Sequence, residues 1–350
     1  FYSMNETQSN KNIPLVILKY IASLSFAGLI IYILFRNQDP VALVEKILEV
    51  DFGWVILSMI FGGWAYVNRG LRWIVLINAL GYKSSKINSV SAVSVGYFTN
   101  MFIPRAGEIS RCTALNRVEK IPVDKLFGTI LVERVIDFVF LISLFLLTLV
   151  LKFELILKFF SELGAQSSGS EVSSSTKYYV LFAIILFCGL TYYFFKKWIV
   201  KTVFYDKIIE FIKGLKEGFK SIKKMKRKSA FWFHTFSIWT MYFLMTYICF
   251  QAIPETSNLT ISDGLFLLVL GGIGMVIPTP GGVGSYHAIV MIGLSVLGVG
   301  TIFLGEGGDP SNPALLFPTI VHVAQTLVAI IMGSIGLLIL FLSKKKQLNE

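Results

Sequence analysis

Charged residues, histidine and cysteine are all scarce in this sequence. Of its 350 residues only 15% are charged, three are histidine and three are cysteine, whereas 55% are hydrophobic. So little charge excludes an ordinary soluble domain and predicts an integral membrane protein. Three widely separated cysteines exclude a disulfide framework, and three histidines without an H-E-x-x-H pattern argue against a metalloenzyme. No phosphate-binding P-loop is present, so no cofactor is expected.

The charge that is present is mostly basic, with 32 Lys and Arg, 21 Asp and Glu, and a net charge of +11. The basic residues cluster at the ends of apolar runs, where the positive-inside rule explains them, so nucleic-acid binding is not expected. Residues 196–228 contain twelve Lys or Arg against three acids, and the chain ends in SKKKQLNE. The sequence therefore predicts a multi-pass protein of the cell (cytoplasmic) membrane with both termini in the cytoplasm.

The apolar runs set the expected fold class. A helix needs about 20 apolar residues to cross a bilayer, and six runs meet this length: 13–35, 54–80, 126–151, 178–198, 231–253 and 315–342. Two shorter runs, 90–103 and 265–277, are better suited to re-entrant arms. We therefore expect an all-α polytopic membrane protein with six full spans and two re-entrant helical hairpins.

Both short runs end in a similar helix-breaking element. The first reads NMFIPRAGEISR (Asn100–Arg111) and the second GMVIPTPGGVGS (Gly274–Ser285), at an offset of 174 residues. Three crossings precede the second half of the chain, and because this number is odd, the second half has the opposite orientation in the membrane. The sequence thus predicts an inverted repeat, the architecture of many secondary transporters.

The expected organisation follows from this repeat. Residues 1–175 form the first membrane repeat, with three spans and a re-entrant element at 88–117. Residues 176–350 form the second, inverted repeat, with three spans and a re-entrant element at 264–304. Between them, residues 201–228 have the pattern of a basic amphipathic helix on the cytoplasmic face, which either recruits anionic lipid or fixes orientation as a tether.

Charged residues lie inside several of these apolar segments, where an unpaired charge is costly. Candidate substrate-binding residues of this kind are Arg69, Arg72, Arg105, Glu108, Arg111, Glu133, Arg134 and Asp137. Glu133 and Asp137 are four apart on one helix face, and they either pair with the arginines of the first re-entrant element or form a bracing ion-pair network. Arg105 and Arg111 have the side chain best shaped to bind a phosphate or carboxylate.

The second re-entrant element contributes backbone and uncharged groups instead. Its candidate residues are Pro278, Gly281, Gly282, Ser285, Tyr286 and His287. Proline and glycine break the helix and let other backbones approach. His287 is a proton relay, a lipid contact or a packing residue, and the same alternatives apply to His322 and Gln325.

Four motifs together carry a family resemblance. They are R-x-x-R-W at Arg69–Trp73, P-R-A-G-E-x-x-R at Pro104–Arg111, E-R-x-x-D at Glu133–Asp137 and P-x-P-G-G-x-G at Pro278–Gly284. The chain resembles the flippase-like membrane family typified by the transmembrane domain of lysylphosphatidylglycerol synthases. The resemblance implies a polytopic bundle with two re-entrant elements and a lipid substrate with a polar head group.

Two departures qualify the resemblance. The chain has no room for the soluble domain that aminoacylates phosphatidylglycerol in bifunctional members, so it is not expected to synthesise the lipid. Such proteins often carry a Glu shortly after the second glycine-rich turn, where this sequence has Ser285, Tyr286 and His287. This difference weighs against an aminoacyl-lipid substrate.

These observations favour a flippase-like transporter that binds or moves an anionic or phosphate-bearing lipid through a central cavity between the two re-entrant elements. Its expected partners are that lipid and the bilayer. The alternative is a membrane-embedded transferase acting on phospholipid or polyprenyl-phosphate substrates, since arginines beside carboxylates also suit that chemistry. A serine hydrolase with Ser285 and His322 as a dyad, and a channel, are further alternatives.

Overall fold

The computed structural model describes residues 4–36, 38–156, 225–302 and 312–349. Within these ranges all the regular structure is helical, as the composition predicts. The α-helices are α1 (Met4–Phe35), α2 (Pro40–Leu48), α3 (Phe52–Ala79), α4 (Lys86–Phe102), α5 (Gly107–Glu119), α6 (Val123–Leu151), α7 (Lys228–Ile248), α8 (Ile261–Val276), α9 (Ser285–Val296) and α10 (Pro313–Asn349). The predicted span at 178–198 and nearly all of the predicted amphipathic helix at 201–228 lie outside the described residues.

Two described helices are long and apolar enough to cross a membrane, Val123–Leu151 and Pro313–Lys346. A third candidate is the bent pair Val41–Leu48 and Phe52–Ala79, whose axes differ by 78°. The chain is therefore a helical membrane protein.

The chain divides into two compact units. One unit comprises Phe1–Ile130 with Lys226–Glu350, and the other comprises Leu131–Met225. The first unit brings together helices from both predicted repeats. All contacts described below lie within that unit.

Polar caps fix where several helices begin. Asp51 precedes α3, and its carboxylate accepts a hydrogen bond from the Gly53 N–H at 2.9 Å. Thr260 and Asp263 form a capping box at the start of α8, in which the Asp263 carboxylate accepts from the Thr260 N–H at 2.7 Å. Each cap satisfies backbone N–H groups that the first helical turn leaves without a partner.

The α3 and α7 helices pack antiparallel. Ser58, near the start of α3, donates to the Met245 carbonyl near the end of α7 at 2.8 Å. Asn68, later in α3, lies 2.9 Å from Nδ1 of His234, early in α7. A Cβ on Gly62 would lie 3.0 Å from the Met245 sulfur, so this small residue allows the close approach.

Both proline-containing elements form the bend of a helical hairpin. In the first, α4 packs on α5 through Gly96 and Gly107, where an added Cβ on Gly96 would lie 2.8 Å from the Gly107 carbonyl oxygen. In the second, α8 packs on α9, and a Cβ on Gly274 would lie 2.9 Å from Cα of Tyr286. Glycine therefore sets the spacing of both hairpins.

The bends of the two hairpins meet. An added Cβ on Gly281, in the second bend, would lie 3.5 Å from Cα of Met101, at the end of α4. The α10 helix packs along α4, where Gly333 abuts Phe98. Lys46 of α2 also bridges Glu49 at 3.1 Å and Glu255 at 3.2 Å, which ties α2 to the connection between α7 and α8.

Candidate functional site

The bend of the first hairpin is a tight turn with an unusual residue in its third position. The Ala106 N–H donates to the Ile103 carbonyl at 3.2 Å, Pro104 follows Ile103, and Arg105 has φ = +63°. A proline in the second position of the turn, a positive φ in the third position and this hydrogen bond are together typical of a type II turn. Glycine normally fills the third position because a Cβ there is strained. Arg105 thus occupies a glycine position.

The Arg105 side chain is exposed, and the described part of the chain gives its guanidinium no hydrogen bond or ion pair. The α5 helix begins two residues later, and its first N–H, from Gly107, donates to the Asn100 side-chain oxygen at 2.7 Å. Glu108, in the first turn of α5, is partly buried. The Arg105 side chain therefore lies exposed in the bend of the first hairpin.

Arg111 is held differently from Arg105. It is buried, and its guanidinium carbon lies 4.6 Å from the centroid of the Trp73 ring. The Trp73 indole in turn donates to the Thr129 hydroxyl at 2.7 Å. The stack stabilises a buried cation by a cation–π interaction and ties α5 to α3.

Arg69 lies in a cluster of tyrosines that sequence reasoning missed. Its Nε donates to the Tyr242 hydroxyl at 2.7 Å, and its guanidinium lies 5.8 Å from the Tyr97 ring centroid. The hydroxyls of Tyr97 and Tyr242 are 3.1 Å apart, and Tyr66 stacks on Tyr97 at 4.3 Å. These tyrosines come from three helices, and no local motif in the sequence marks them.

Arg72 is fully buried on the α7 side of α3. Its guanidinium lies 5.8 Å from the Phe231 ring centroid, and one terminal nitrogen lies 3.4 Å from the Thr235 hydroxyl. Both Arg69 and Arg72 therefore contact α7, as expected for residues three apart on one helix face.

The charged residues in the middle of α6 lie on different faces of the helix, one buried and one exposed. Glu133 and Asp137 are buried, with 1% and 8% of their surface exposed, whereas Arg134 is exposed. Their pairing with the arginines of the first hairpin stays a prediction.

The bend of the second hairpin, residues 277–284, depends on glycine for its backbone conformation and on several hydrogen bonds. Gly281 and Gly282 have φ values of +59° and +82°, which explains why glycine is required there. The Pro278 carbonyl accepts a hydrogen bond from the Ser23 hydroxyl of α1 at 2.6 Å. The buried Ser285 hydroxyl pairs with the Thr279 hydroxyl at 2.8 Å and donates to the Gly282 carbonyl at 3.3 Å. Within the described residues, the Ser285 hydroxyl therefore bonds to Thr279 and Gly282 and not to a histidine.

Two histidines that the sequence separates by 35 positions lie side by side beneath this bend. The rings of His287 and His322 are 4.8 Å apart between centroids, and the Tyr286 ring is 5.5 Å from that of His322. The sequence predicted each of these residues as a candidate on its own but not that they form one cluster.

The bend fixes the protonation of both rings. Nε2 of His322 lies 2.9 Å from the Gly281 carbonyl, so this nitrogen must carry a proton and donate it. Nδ1 of His287 accepts from the Gly284 N–H at 3.4 Å, so this nitrogen must be bare. His287 is therefore neutral in this structure.

Comparison with known proteins places the chain in a family. The model for the lysylphosphatidylglycerol synthase TM region matches residues 20–333, so the chain belongs to that family. A UPF0104 membrane protein of Methanothermobacter thermautotrophicus is 25% identical over 75% of this chain and 78% of its own length. A UPF0104 membrane protein of Methanocaldococcus jannaschii is 29% identical over 33% of this chain, and the match spans about a third (34%) of that relative. No solved structure matches the chain.

Proposed function

We propose that this member of the lysylphosphatidylglycerol synthase TM-region family is a flippase-like transporter that binds an anionic, phosphate-bearing lipid and moves it between the leaflets of the cell membrane. Family membership supports a lipid-related role in a membrane. In this proposal the lipid passes the point where the two hairpin bends meet, and both termini of the protein lie in the cytoplasm.

The helix bounds support an inverted repeat with six spans and two re-entrant hairpins. Adding the offset of 174 to α4, 86–102, gives 260–276, and α8 spans Ile261–Val276. Adding it to α3, 52–79, gives 226–253, where α7 and its short 3₁₀ extension run from Lys228 to Ala252. A twofold axis in the membrane plane also requires equivalent helices at the axis to be antiparallel, as α3 and α7 are.

Arg105 is the observation that carries the proposal. A strained backbone persists where function requires the side chain, and this turn would form more easily with glycine. The side chain it retains is exposed, without a partner in the described ranges, and beside the start of α5, whose dipole also favours an anion. A phosphate group can accept two hydrogen bonds from one guanidinium.

The other candidate residues have supporting parts in this proposal. Arg111 ties α5 to α3 through its stack on Trp73, while Arg69 and Arg72 anchor α3 to α7. Glycines in the second bend present backbone without side chains where this bend meets the end of α4, since an added Cβ on Gly281 would lie 3.5 Å from Cα of Met101.

The direct test is lipid binding followed by native mass spectrometry, with phosphatidylglycerol and diacylglycerol as probes. Phosphatidylglycerol should bind and diacylglycerol, which lacks the phosphate, should not. Arg105→Lys keeps the charge but loses the bidentate geometry, so affinity for phosphatidylglycerol should fall about tenfold, equivalent to about 1.4 kcal/mol. Lys83→Arg, at an exposed position between α3 and α4, is the matched control and should bind normally.

Proteoliposomes then separate a transporter from the alternative transferase. A transporter moves fluorescent phosphatidylglycerol between leaflets and leaves its mass unchanged, whereas a transferase changes the mass. Equal binding of phosphatidylglycerol by the parent and by folded Arg105→Lys would contradict the proposal that Arg105 binds the lipid phosphate.

A further inference from the structure

We propose that α2 is an interfacial helix, which lies along the surface of the bilayer at the start of α3 and places one of its faces between the lipid head groups and the hydrocarbon. The partner of that face is the outer lipid leaflet. That α3 crosses the bilayer from the outer surface rests on the six-span topology proposed above, but no movement of lipid is required for α2 to lie there.

The angle between α2 and α3 sets the orientation of α2. Their axes differ by 78°. At 1.5 Å per residue, the 28 residues of α3 extend about 42 Å and can cross a bilayer alone, whereas the nine residues of α2 extend only about 14 Å. If α3 has the tilt of about 20° that is typical of spanning helices, α2 still lies within roughly 30° of the membrane plane.

One face of α2 is apolar and exposed. Val41, Val44 and Leu48 follow the spacing of a single helix face, and 66%, 55% and 76% of their surfaces are exposed. Phe52, at the start of α3, is exposed as well. Against water these side chains would be unfavourable, whereas a lipid leaflet would bury them.

The other faces of α2 fix its depth. Glu45 and Glu49 are exposed beside the apolar face, while Leu43 and Ile47 are partly buried toward the protein. A deeper position would place both carboxylates in hydrocarbon, and a shallower one would return the apolar face to water. A helix with protein, lipid and water on three sides therefore lies at the boundary.

Polar and aromatic residues around α2 are also those of a membrane surface. Asp39 caps α2, where its carboxylate accepts from the Val41 N–H at 2.8 Å, and Asp51 caps α3. The partly exposed Trp54 follows in the first turn of α3. Tryptophan concentrates at the interface between membrane and water, so these residues place the corner between α2 and α3 there.

Two contacts join this corner to the connection between α7 and α8. The Asp51 N–H donates to the Ala252 carbonyl at 3.1 Å, and Lys46 bridges Glu255 at 3.2 Å. The connection leads directly into the second hairpin. The depth of α2 in the leaflet thus also sets the depth of this connection.

Nitroxide labels on single cysteines in nanodiscs test the position of α2. In a cysteine-free background, Val44→Cys and Leu48→Cys label the apolar face, and Glu45→Cys is the matched control on the neighbouring face. Asn258→Cys, exposed in the connection, is the reference for water, and Ile60→Cys, exposed about 12 Å further along α3, is the reference for hydrocarbon. Collisions with oxygen report lipid, and collisions with a water-soluble nickel chelate report water.

Labels at Val44 and Leu48 should favour oxygen over nickel severalfold more than the label at Glu45, at a depth of about 5–10 Å. The second apolar label decides the matter where one variant fails to fold. Labels at Val44 and Glu45 that both match Asn258 would place α2 in water and overturn the proposal. A Glu45 label as deep as Ile60 would make α2 part of a broken span, and apolar labels shielded from both reagents would show a protein partner; either result would also overturn it.

The Ile60 label separates this proposal from the proposed function. Ile60 in hydrocarbon with α2 elsewhere would overturn the interfacial helix alone. Ile60 in water would remove α3 as a span and with it both the six-span topology and the orientation of α2. Since lipid transport is not measured, a protein that moves no lipid can still confirm the position of α2.

Discussion

Replacing Arg105 by glycine separates the strain of the turn from the use of its side chain. Arg105 holds φ = +63° in the third position of a type II turn, the position that glycine prefers. Its guanidinium is exposed and has no partner within the described ranges, so the substitution breaks no contact seen there. Arg105→Gly should therefore stabilise the protein while it weakens lipid binding.

The two effects differ in size and in sign. A non-glycine residue in the left-handed region costs roughly 1–2 kcal/mol, and the greater freedom of glycine in the unfolded chain offsets roughly 0.5–1 kcal/mol of that. The net stabilisation is about 0.5–1 kcal/mol, or an increase in Tm of about 1–3 °C. A hydrogen bond from a charged group contributes about 1.5–3 kcal/mol, so affinity for phosphatidylglycerol should fall roughly 10- to 100-fold.

Lys120 provides the control, because it is the other non-glycine residue with a positive φ in the described ranges. It has φ = +57° at the C-cap of α5, and its Nζ makes only a long hydrogen bond of 3.4 Å to the Arg117 carbonyl. Lys120→Gly should raise Tm by a similar or slightly smaller amount and leave lipid binding unchanged. Thermal unfolding followed by tryptophan fluorescence at one scan rate, with native mass spectrometry of the same samples, measures both quantities.

The Tm and the lipid affinity of Arg105→Gly test two separate parts of this reasoning. A lower Tm for Arg105→Gly would mean that the turn needs the arginine for folding, and the strain argument would be wrong. A higher Tm with unchanged affinity for phosphatidylglycerol would mean that Arg105 does not bind the phosphate.

Three further predictions concern packing, stacking and topology. Gly107→Ala should destabilise the protein by roughly 1–3 kcal/mol because the added Cβ would collide with the Gly96 carbonyl. The control is Gly63→Ala, whose Cβ would meet nothing within 4 Å, and it should be neutral or stabilising in the same unfolding assay. Arg111→Lys should lower the free energy of unfolding by about 1–2 kcal/mol because it loses the planar stack on its tryptophan, and an unchanged Tm would exclude that contribution. In a cysteine-free background, Asn258→Cys should react with an impermeant thiol reagent in intact cells and Lys83→Cys only after permeabilisation; the opposite pattern would reverse the orientation.

The positions of both hairpins were predictable from sequence because their causes are local. Proline and glycine break a helix wherever they fall, and the runs at 90–103 and 265–277 are too short to cross a bilayer. The structure has α4 and α8 at these positions, Lys86–Phe102 and Ile261–Val276. Membership of the family was also predictable, since the four motifs that carry it are short and contiguous, and the family model matches residues 20–333.

The candidate site was only partly predictable. Sequence alone marked Arg69 as a charge in an apolar helix, because hydropathy is read one residue at a time. It did not indicate Tyr97 or Tyr242, which are unremarkable in their own helices and become partners only where α3, α4 and α7 meet. Nor did it distinguish the exposed Arg105 from the buried Arg111 six residues later, since exposure depends on which helices pack against each side chain.

The amino-acid sequence by itself determined the membrane class, the helix breaks and the repeated element, because hydrophobicity and backbone preference act over a few neighbouring residues. Tertiary structure alone decided which distant groups share an environment. His287 and His322 lie 35 positions apart, yet their rings are 4.8 Å apart because α10 packs beside α9 beneath the glycine-rich bend. Likewise, Met101 and Gly281 are in contact because the bend of the second hairpin packs on the end of α4, which no local pattern in the sequence indicates.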